Sequence, residues 1–372
     1  MKDSHLAYDM VAGSNASLAS RREHGKQFFL ISLLLATWLP IALFLSLSRT
    51  EIPSSLETIK FVFLFLGTAH VPATIFFYMD RGFAQVIQKH KGRYIYLPIL
   101  VTILSGVVFA FLSLAVQAYL LLVYWGWQAF HYGRQNIGVY AFASIAQTGR
   151  SLRKAEKLAI DLGTLCGIFG TFKILGMAVA PTYLHGVFNY LYLVGGTGYI
   201  GVLIFTIFVY VKYFSDTTVW KTLFFFTSVF FFFPVFISTD LNVAFLSYAM
   251  AHGFQYLVFM TTISLNSGER DSKIFRLGNA FKPIALVIII GFAFSRLGWL
   301  KDLETIKNSA VFVRSVDFLV GATFGLTMAH FLIDAGAWKL SMELQRNYIT
   351  RRFKFLFGQA DIIKRDLPGI GS

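Results

Sequence analysis

Four histidines interrupt long apolar runs in this chain: His70 in "GTAHVPAT", His131 in "AFHYGRQN", His252 in "MAHGFQYL" and His330 in "MAHFLIDAGAWK". Imidazole is the commonest metal-binding side chain, and an ionisable ring placed within hydrocarbon must find a partner, so such positions mark functional sites. A set of neutral nitrogens suits iron, copper or zinc better than magnesium or calcium, which prefer oxygen. The chemistry implied is a metal or cofactor centre, with Fe(II) first and Cu, Zn or haem as alternatives. A single histidine in an apolar segment is ordinarily a packed or hydrogen-bonded residue; four of them are harder to account for that way. The other histidines (His5, His24, His90 and His185) fall in polar or connecting segments and are read as solvent or interface residues.

The neighbours of the four are polar at helical spacing. Ligating histidines usually hand their second ring proton to a carboxylate, amide or carbonyl that fixes the tautomer. Gln135 stands one helical turn after His131, Asp334 one turn after His330, and Gln255 and Tyr256 one turn after His252. His70 has only Thr74 at that spacing, but Pro72 can kink the helix and free a carbonyl. Arg134 and Asp334 fall at similar depth, where a buried pair would lower the cost of both charges; the plainer alternative is that each merely stitches helices together. We expect His70, His131, His252 and His330 as metal ligands. Gln135, Gln255, Tyr256 and Thr74 would orient them, with Asp334 and Arg134 as the charged groups of the catalytic centre.

The elements that must position these residues are transmembrane helices. The chain of 372 residues is 56% hydrophobic and 17% aromatic but only 14% charged. A spanning helix needs roughly 20 mostly apolar residues, and such blocks recur from end to end. The pattern predicts an all-α, polytopic bundle of about ten spans: 27–48, 61–79, 95–114, 117–146, 158–180, 193–212, 222–238, 242–265, 283–300 and 316–338. Residues 1–26 form a polar cytoplasmic segment, 27–338 the membrane domain and 339–372 a basic cytoplasmic tail. The mixed basic and aromatic stretch "LQRNYITRRFKFLFG" in that tail can be read as an interfacial helix on the inner leaflet or as a solvated segment.

Loop charge sets the orientation. With both termini cytoplasmic, the outer segments hold only Arg49, Lys60, Lys301, Lys307 and Arg314. Arg134, Lys173 and Arg296 fall within spans, and every other Lys or Arg lies inside. Topology thereby accounts for most of the net charge of +14, and no nucleic-acid module is recognisable. Cys166 has no intrachain partner, and no cleaved signal peptide is expected. Compact loops and the lack of targeting signals point to a bacterial inner membrane. Partners are the bilayer and, if the centre is catalytic, a lipophilic small molecule; oligomeric state is not legible. Phenylalanine runs such as "FFFTSVFFFFP" (224–234) are read as lipid-facing or packing surface that would also permit an isoprenoid or lipid substrate.

In this topology the four histidines lie on spans that run from outside to inside, and their depths agree to roughly 8 Å at 1.5 Å per residue. They can meet near the midplane, one from each of four helices. A bundle whose intramembrane histidines come singly from different helices resembles the Brp/Blh type of bacterial β-carotene cleaving dioxygenase. The resemblance covers architecture and ligand type rather than an aligned motif. It implies a non-haem iron held by His70, His131, His252 and His330 and a lipophilic polyene entering from the bilayer. The favoured function is an iron-dependent oxygenase acting on a lipophilic substrate. The alternatives are a proton-coupled carrier using His131, Arg134, Asp161, Lys173 and Asp334, and a b-type haem electron carrier.

Overall fold

The computed structural model describes residues 3–47, 70–238, 240, 242–266 and 310–357. Among them every regular element is helical and no strand occurs. In chain order α1 covers Asp3–Leu47, α2 His70–Ala73, α3 Ile75–Met79, α4 Ala84–Lys89, α5 Leu97–Phe111, α6 Leu114–Thr148 and α7 Lys154–Val179. Then come α8 (His185–Lys212), α9 (Val219–Phe230), α10 (Pro234–Ile237), α11 (Ser247–Leu265), α12 (Ala310–Ala337) and α13 (Glu343–Arg352). Single π turns at Gly92–Tyr96 and Asn242–Leu246 lead into α5 and α11.

Among the described residues six helical stretches are long and apolar enough to cross a bilayer: Ser20–Ser46, Gly92–Phe111, Lys154–Met177, Thr182–Lys212, Val243–Leu265 and Phe312–Ala337. These make the chain an α-helical protein of membrane-spanning type. Helix α6 is long enough, at 35 residues, but Gln128, His131, Arg134, Gln135 and Asn136 dilute its middle. The expected span 283–300 and the first part of the expected span 61–79 lie outside the described residues.

Elsewhere the helices depart from the expected boundaries. The second expected span is not one helix where it is described. Pro72 supplies no backbone donor, and the chain closes three-residue turns at Thr74 N to Val71 O (3.2 Å) and Phe77 N to Thr74 O (3.1 Å). The result is that α2 ends at Ala73 and the short helix α3 follows. Pro234 likewise divides the expected span 222–238 into α9, a turn and α10. The expected outer connection 181–192 is mostly helix: its aromatic and apolar residues continue α8 back to His185.

Small residues allow the closest helix contacts. Helices α5 and α12 form the most extensive pairing and run antiparallel, since Gly321 faces Ser105 and Phe109, and Gly325 faces Val101 and Thr102. A Cβ on Gly325 would stand 2.6 Å from Thr102 Cα, so only hydrogen fits there. Without a hydrophobic force between helices in lipid, such close backbone approach is what holds them.

Of the expected tail, residues 358–372 lie outside the described residues. In the described part helix α13 buries Gln345, Tyr348, Ile349 and Thr350, and Phe353, Leu356 and Phe357 are buried after it. Phe353 packs against Phe29 (ring centroids 5.5 Å apart), Phe142 (5.3 Å) and Phe259 (5.8 Å). Arg352 makes two contacts with the Asp80 carboxylate at 2.5 and 2.7 Å, and Tyr348 donates to the same group at 2.8 Å. Burying those rings favours the packed arrangement, and Arg352 keeps a carboxylate partner at the edge. A second closed cluster joins α7 to α9: Lys221 meets Glu156 at 2.9 Å, both almost fully buried, and Arg153 bridges Glu156 to Asp216.

Candidate metal centre

His131 projects from the middle of α6, His252 from the first third of α11 and His330 from the last third of α12, and His70 lies in α2, four residues before the break at Thr74. All four rings are buried, none more than 7% exposed. His70 lies with its ring centroid 4.7 Å from that of His252 and 5.0 Å from that of His330. His131 is 5.0 Å from His252 and 5.4 Å from His330, and His252 is 6.3 Å from His330. Packing fixes the ring planes. His131 stacks on Phe331 at 4.1 Å, and His252 lies 4.1 Å from the Tyr132 ring.

The nitrogens form two overlapping groups. Ligand atoms of His70, His252 and His330 all lie within 4.8 Å of one another, and so do those of His131, His330 and Asp334. His70 Nε2 and His252 Nε2 approach to 3.2 Å. Metal–nitrogen bonds of about 2.1 Å place neighbouring ligands roughly 3.0–3.4 Å apart for angles between square and tetrahedral, so this spacing suits two ligands of one ion. Burial makes the remaining atoms costly. His131 Nε2, His252 Nδ1 and His330 Nε2 are enclosed and without a hydrogen-bond partner. Orphaned nitrogens converging in an apolar bundle fit a transition-metal ion.

A hydroxyl network holds the far side of His330. Thr74 Oγ1 lies 2.6 Å from His330 Nδ1 and 3.2 Å from the Tyr256 hydroxyl. Tyr256 in turn donates to Asp334 Oδ1 at 2.9 Å. The other Asp334 oxygen stands 3.6 Å from His330 Nε2, beyond hydrogen-bond reach but close enough for electrostatic contact. Thr74 therefore serves His330 across a helix boundary rather than the His70 of its own segment. Spacing along one helix gave no sign of that.

The remaining expected residues divide. Gln135 Nε2 donates to the His252 backbone carbonyl at 2.9 Å and to Gln255 Oε1 at 3.1 Å, while Gln255 Nε2 donates to Thr37 Oγ1 at 2.7 Å. These amides tie α1, α6 and α11 together and touch no histidine ring. Arg134 is not at the centre. It pairs with Asp161 at 3.2 Å, the side chains being 46% and 38% exposed, so the expected pair with Asp334 is replaced. The physical reason is angular: Arg134 lies three residues beyond His131, and α7 meets that face of α6 before α12 does. Lys173 is held by the Asn189 side chain, away from the histidines. Thr37, Tyr132 and Phe331 contribute to the site without having been expected. The only trace in the sequence was a threonine within an apolar run and two rings beside histidines.

Beside the cluster lies a cavity of about 770 Å³. His70, Thr74 and His330 form part of its wall, and most of the rest is apolar, including Ile75, Ile99 and Met250. Comparison with protein-family models, with curated proteins and with solved structures finds no match.

Proposed function

We propose that this protein is an integral membrane metalloenzyme, a non-haem iron oxygenase that acts on a lipophilic substrate. His70, His131, His252 and His330 would hold the ion, with Asp334 beside it. The observation that carries the proposal is that ligand atoms of His70, His252 and His330, and of His131, His330 and Asp334, lie within 4.8 Å of one another, while His131 Nε2, His252 Nδ1 and His330 Nε2 are buried without a hydrogen-bond partner. Iron bound there would supply dioxygen activation. The protein's own part is to orient and to exclude. Thr74 Oγ1 would accept the hydrogen bond of His330 Nδ1–H and so present Nε2, Tyr256 holds Asp334 in place, and near-complete burial of the rings limits their contact with bulk water. A largely apolar chamber of drug-like size at the histidine wall suits a substrate drawn from the bilayer.

The wider proposal is a bundle of about ten spans with both termini cytoplasmic, in a bacterial inner membrane, as the distribution of basic residues favours. The similarity to Brp/Blh-type dioxygenases belongs to the same proposal. A haem reading is less favoured because the rings cross-pack at 4.7–6.3 Å and leave no slab for a flat macrocycle between two of them. A carrier reading loses its pathway, since Arg134 with Asp161 and Lys173 with Asn189 form separate pairs.

Metal analysis by mass spectrometry, with a visible spectrum, tests the proposal on protein purified anaerobically and reconstituted with ferrous iron. The expected result is one bound iron per chain without a Soret band, lost in both His131→Ala and His330→Ala. Zinc or copper in its place would change the assigned chemistry, and unaltered iron content in both variants would remove the ligand set.

A further inference from the structure

The cavity beside the histidines is not uniformly apolar. Its polar groups gather along α6 and α12, on the stretches leading up to His131 and His330. Tyr124, Gln128 and Tyr132 come from α6, and Thr323 and Thr327 from α12. Gln128 Nε2 donates to the Tyr132 hydroxyl, which leaves that hydroxyl's own proton and the Gln128 carbonyl oxygen directed to other partners. The Tyr124 phenol lies against the Thr327 hydroxyl, and Thr327 Oγ1 donates to Thr323 O at 3.1 Å. This wall thus offers a donor, an amide acceptor and hydroxyl lone pairs within a few ångströms of one another.

The opposite part of the chamber offers little of this. Ile75, Pro98, Ile99 and Ile333 line it. Its one phenol, on Tyr78, donates to the Tyr94 carbonyl, and Thr102 donates to Pro98 O at 2.8 Å. The lining positions on α12 run from Thr323 to Ile333, which is about 15 Å at 1.5 Å per residue. Gln128 and Thr327 each lie three positions before a histidine, roughly 4.5 Å along the axis. The polar wall therefore adjoins the histidine level, and the apolar space extends away from it.

Resting on the reading of the histidine cluster as a metal centre, we propose that the chamber takes an elongated amphiphile with one oxygen-bearing end. A hydroxyl or carbonyl seats against Gln128 and Tyr132, and the hydrocarbon chain extends toward Ile75 and Ile99. A site with a few placed polar groups in an apolar pocket selects by those groups, and discriminates against an analogue that leaves them unpaired. The geometry also assigns the reacting position. Bonds within a few carbons of the head, rather than the middle of the chain, lie opposite His330.

Photolabelling tests this in the full-length, iron-loaded protein in nanodiscs. The probes are hexadecanol carrying a diazirine near its hydroxyl and hexadecane carrying the same group at the same carbon. The alcohol is expected to label α6 and α12 peptides about fivefold more than the alkane, in keeping with one or two hydrogen bonds inside a membrane. The double variant Gln128→Leu with Tyr132→Phe replaces both partners of one hydrogen bond by apolar groups of similar shape, which folding tolerates. It should bring alcohol labelling down to the alkane level, and because the ring packed on His252 is retained, labelling is compared at equal iron loading. Equal labelling by the two probes in the unmodified protein, with iron bound, overturns the proposal while leaving the centre intact. An alcohol preference that survives the double variant overturns it too. If the double variant does not fold, Thr327→Val and the ratio in the unmodified protein decide. Alcohol preference in a protein that binds no iron would retain the head-group site and remove the metal reading alone.

Discussion

Replacing Thr74 by Val is the most discriminating perturbation of the centre. Valine matches threonine in shape, so no cavity opens, and the loss is confined to one hydroxyl that is 5% exposed as a residue. That hydroxyl is 2.6 Å from His330 Nδ1 and 3.2 Å from the Tyr256 hydroxyl. Tyr256 loses its weaker contact with Thr74 but keeps its bond to Asp334 at 2.9 Å, so the main loss falls on His330 Nδ1. In metal-free protein the orphaned ring nitrogen should cost about 1–2 kcal/mol, read as a lower unfolding temperature. In the metal-bound state the ring is free to turn and its preferred tautomer is no longer fixed. Losing an outer partner of a ligating histidine typically weakens metal binding about 10–100-fold, or roughly 1.4–2.8 kcal/mol. Anaerobic competition against a chromophoric chelator measures this directly. Thr74→Ser keeps an oxygen in reach and should recover most of the affinity. A folded Thr74→Val protein that binds iron as tightly as the unmodified chain would refute the assignment of His330 as a ligand oriented through Nδ1.

Three further perturbations separate the centre from the scaffold. Arg134→Gln should leave iron content unchanged and cost at most about 1 kcal/mol, because its pair with Asp161 is half exposed; Asp334→Asn should lower iron affinity by about tenfold, and equal effects would contradict the placement of the two charges. Gly325→Val drives a Cβ to 2.6 Å from Thr102 Cα and should destabilise the α5–α12 pair by about 1–3 kcal/mol or more, whereas Gly138→Ala, which meets nothing within 4 Å, should be neutral or slightly stabilising; thermal unfolding in detergent compares them. Arg352→Met strands the Asp80 carboxylate, 8% exposed, and should cost about 3 kcal/mol and make the tail accessible to protease, with iron still bound below the unfolding transition.

The histidines themselves were legible in the sequence because a bilayer penalises ionisable groups, so each one stands out against its apolar flanks. Counting residues in from the expected span ends placed them at similar depth, and the rings do lie together, with neighbouring centroids 4.7–6.3 Å apart. What could not be read was rotation about the helix axis. Residues three apart on one helix point about 60° apart, enough to send His131 into the cluster and Arg134 to Asp161 on α7. The same blindness assigned Thr74 to His70, whereas its hydroxyl meets His330, 256 residues away. Hydropathy located the spans of α5, α7, α11 and α12, but not the breaks at Thr74 and Pro234. A run of apolar residues reads alike whether the backbone continues or turns.

The tail shows a related effect. Its Arg and Lys residues sit beside Phe and Tyr, a mixture that reads as an interfacial or solvated segment. In the described part Arg352 pairs with Asp80 and Phe353 packs on Phe29, Phe142 and Phe259, so residues that mark a surface segment also help close the bundle. The consequence reaches the centre through a short chain of covalent geometry. Asp80 caps the end of α3, and α2–α3 carries His70 and Thr74. The least regular segment of the described bundle thus supplies both a histidine and the hydroxyl that orients another. It is clamped from outside by α13 and from within by Tyr256 and His330. A long uninterrupted helix would fix the rotation of both side chains together. The break at Thr74 lets His70 and Thr74 aim at different partners, and that freedom is what permits three-ring convergence within 4.8 Å.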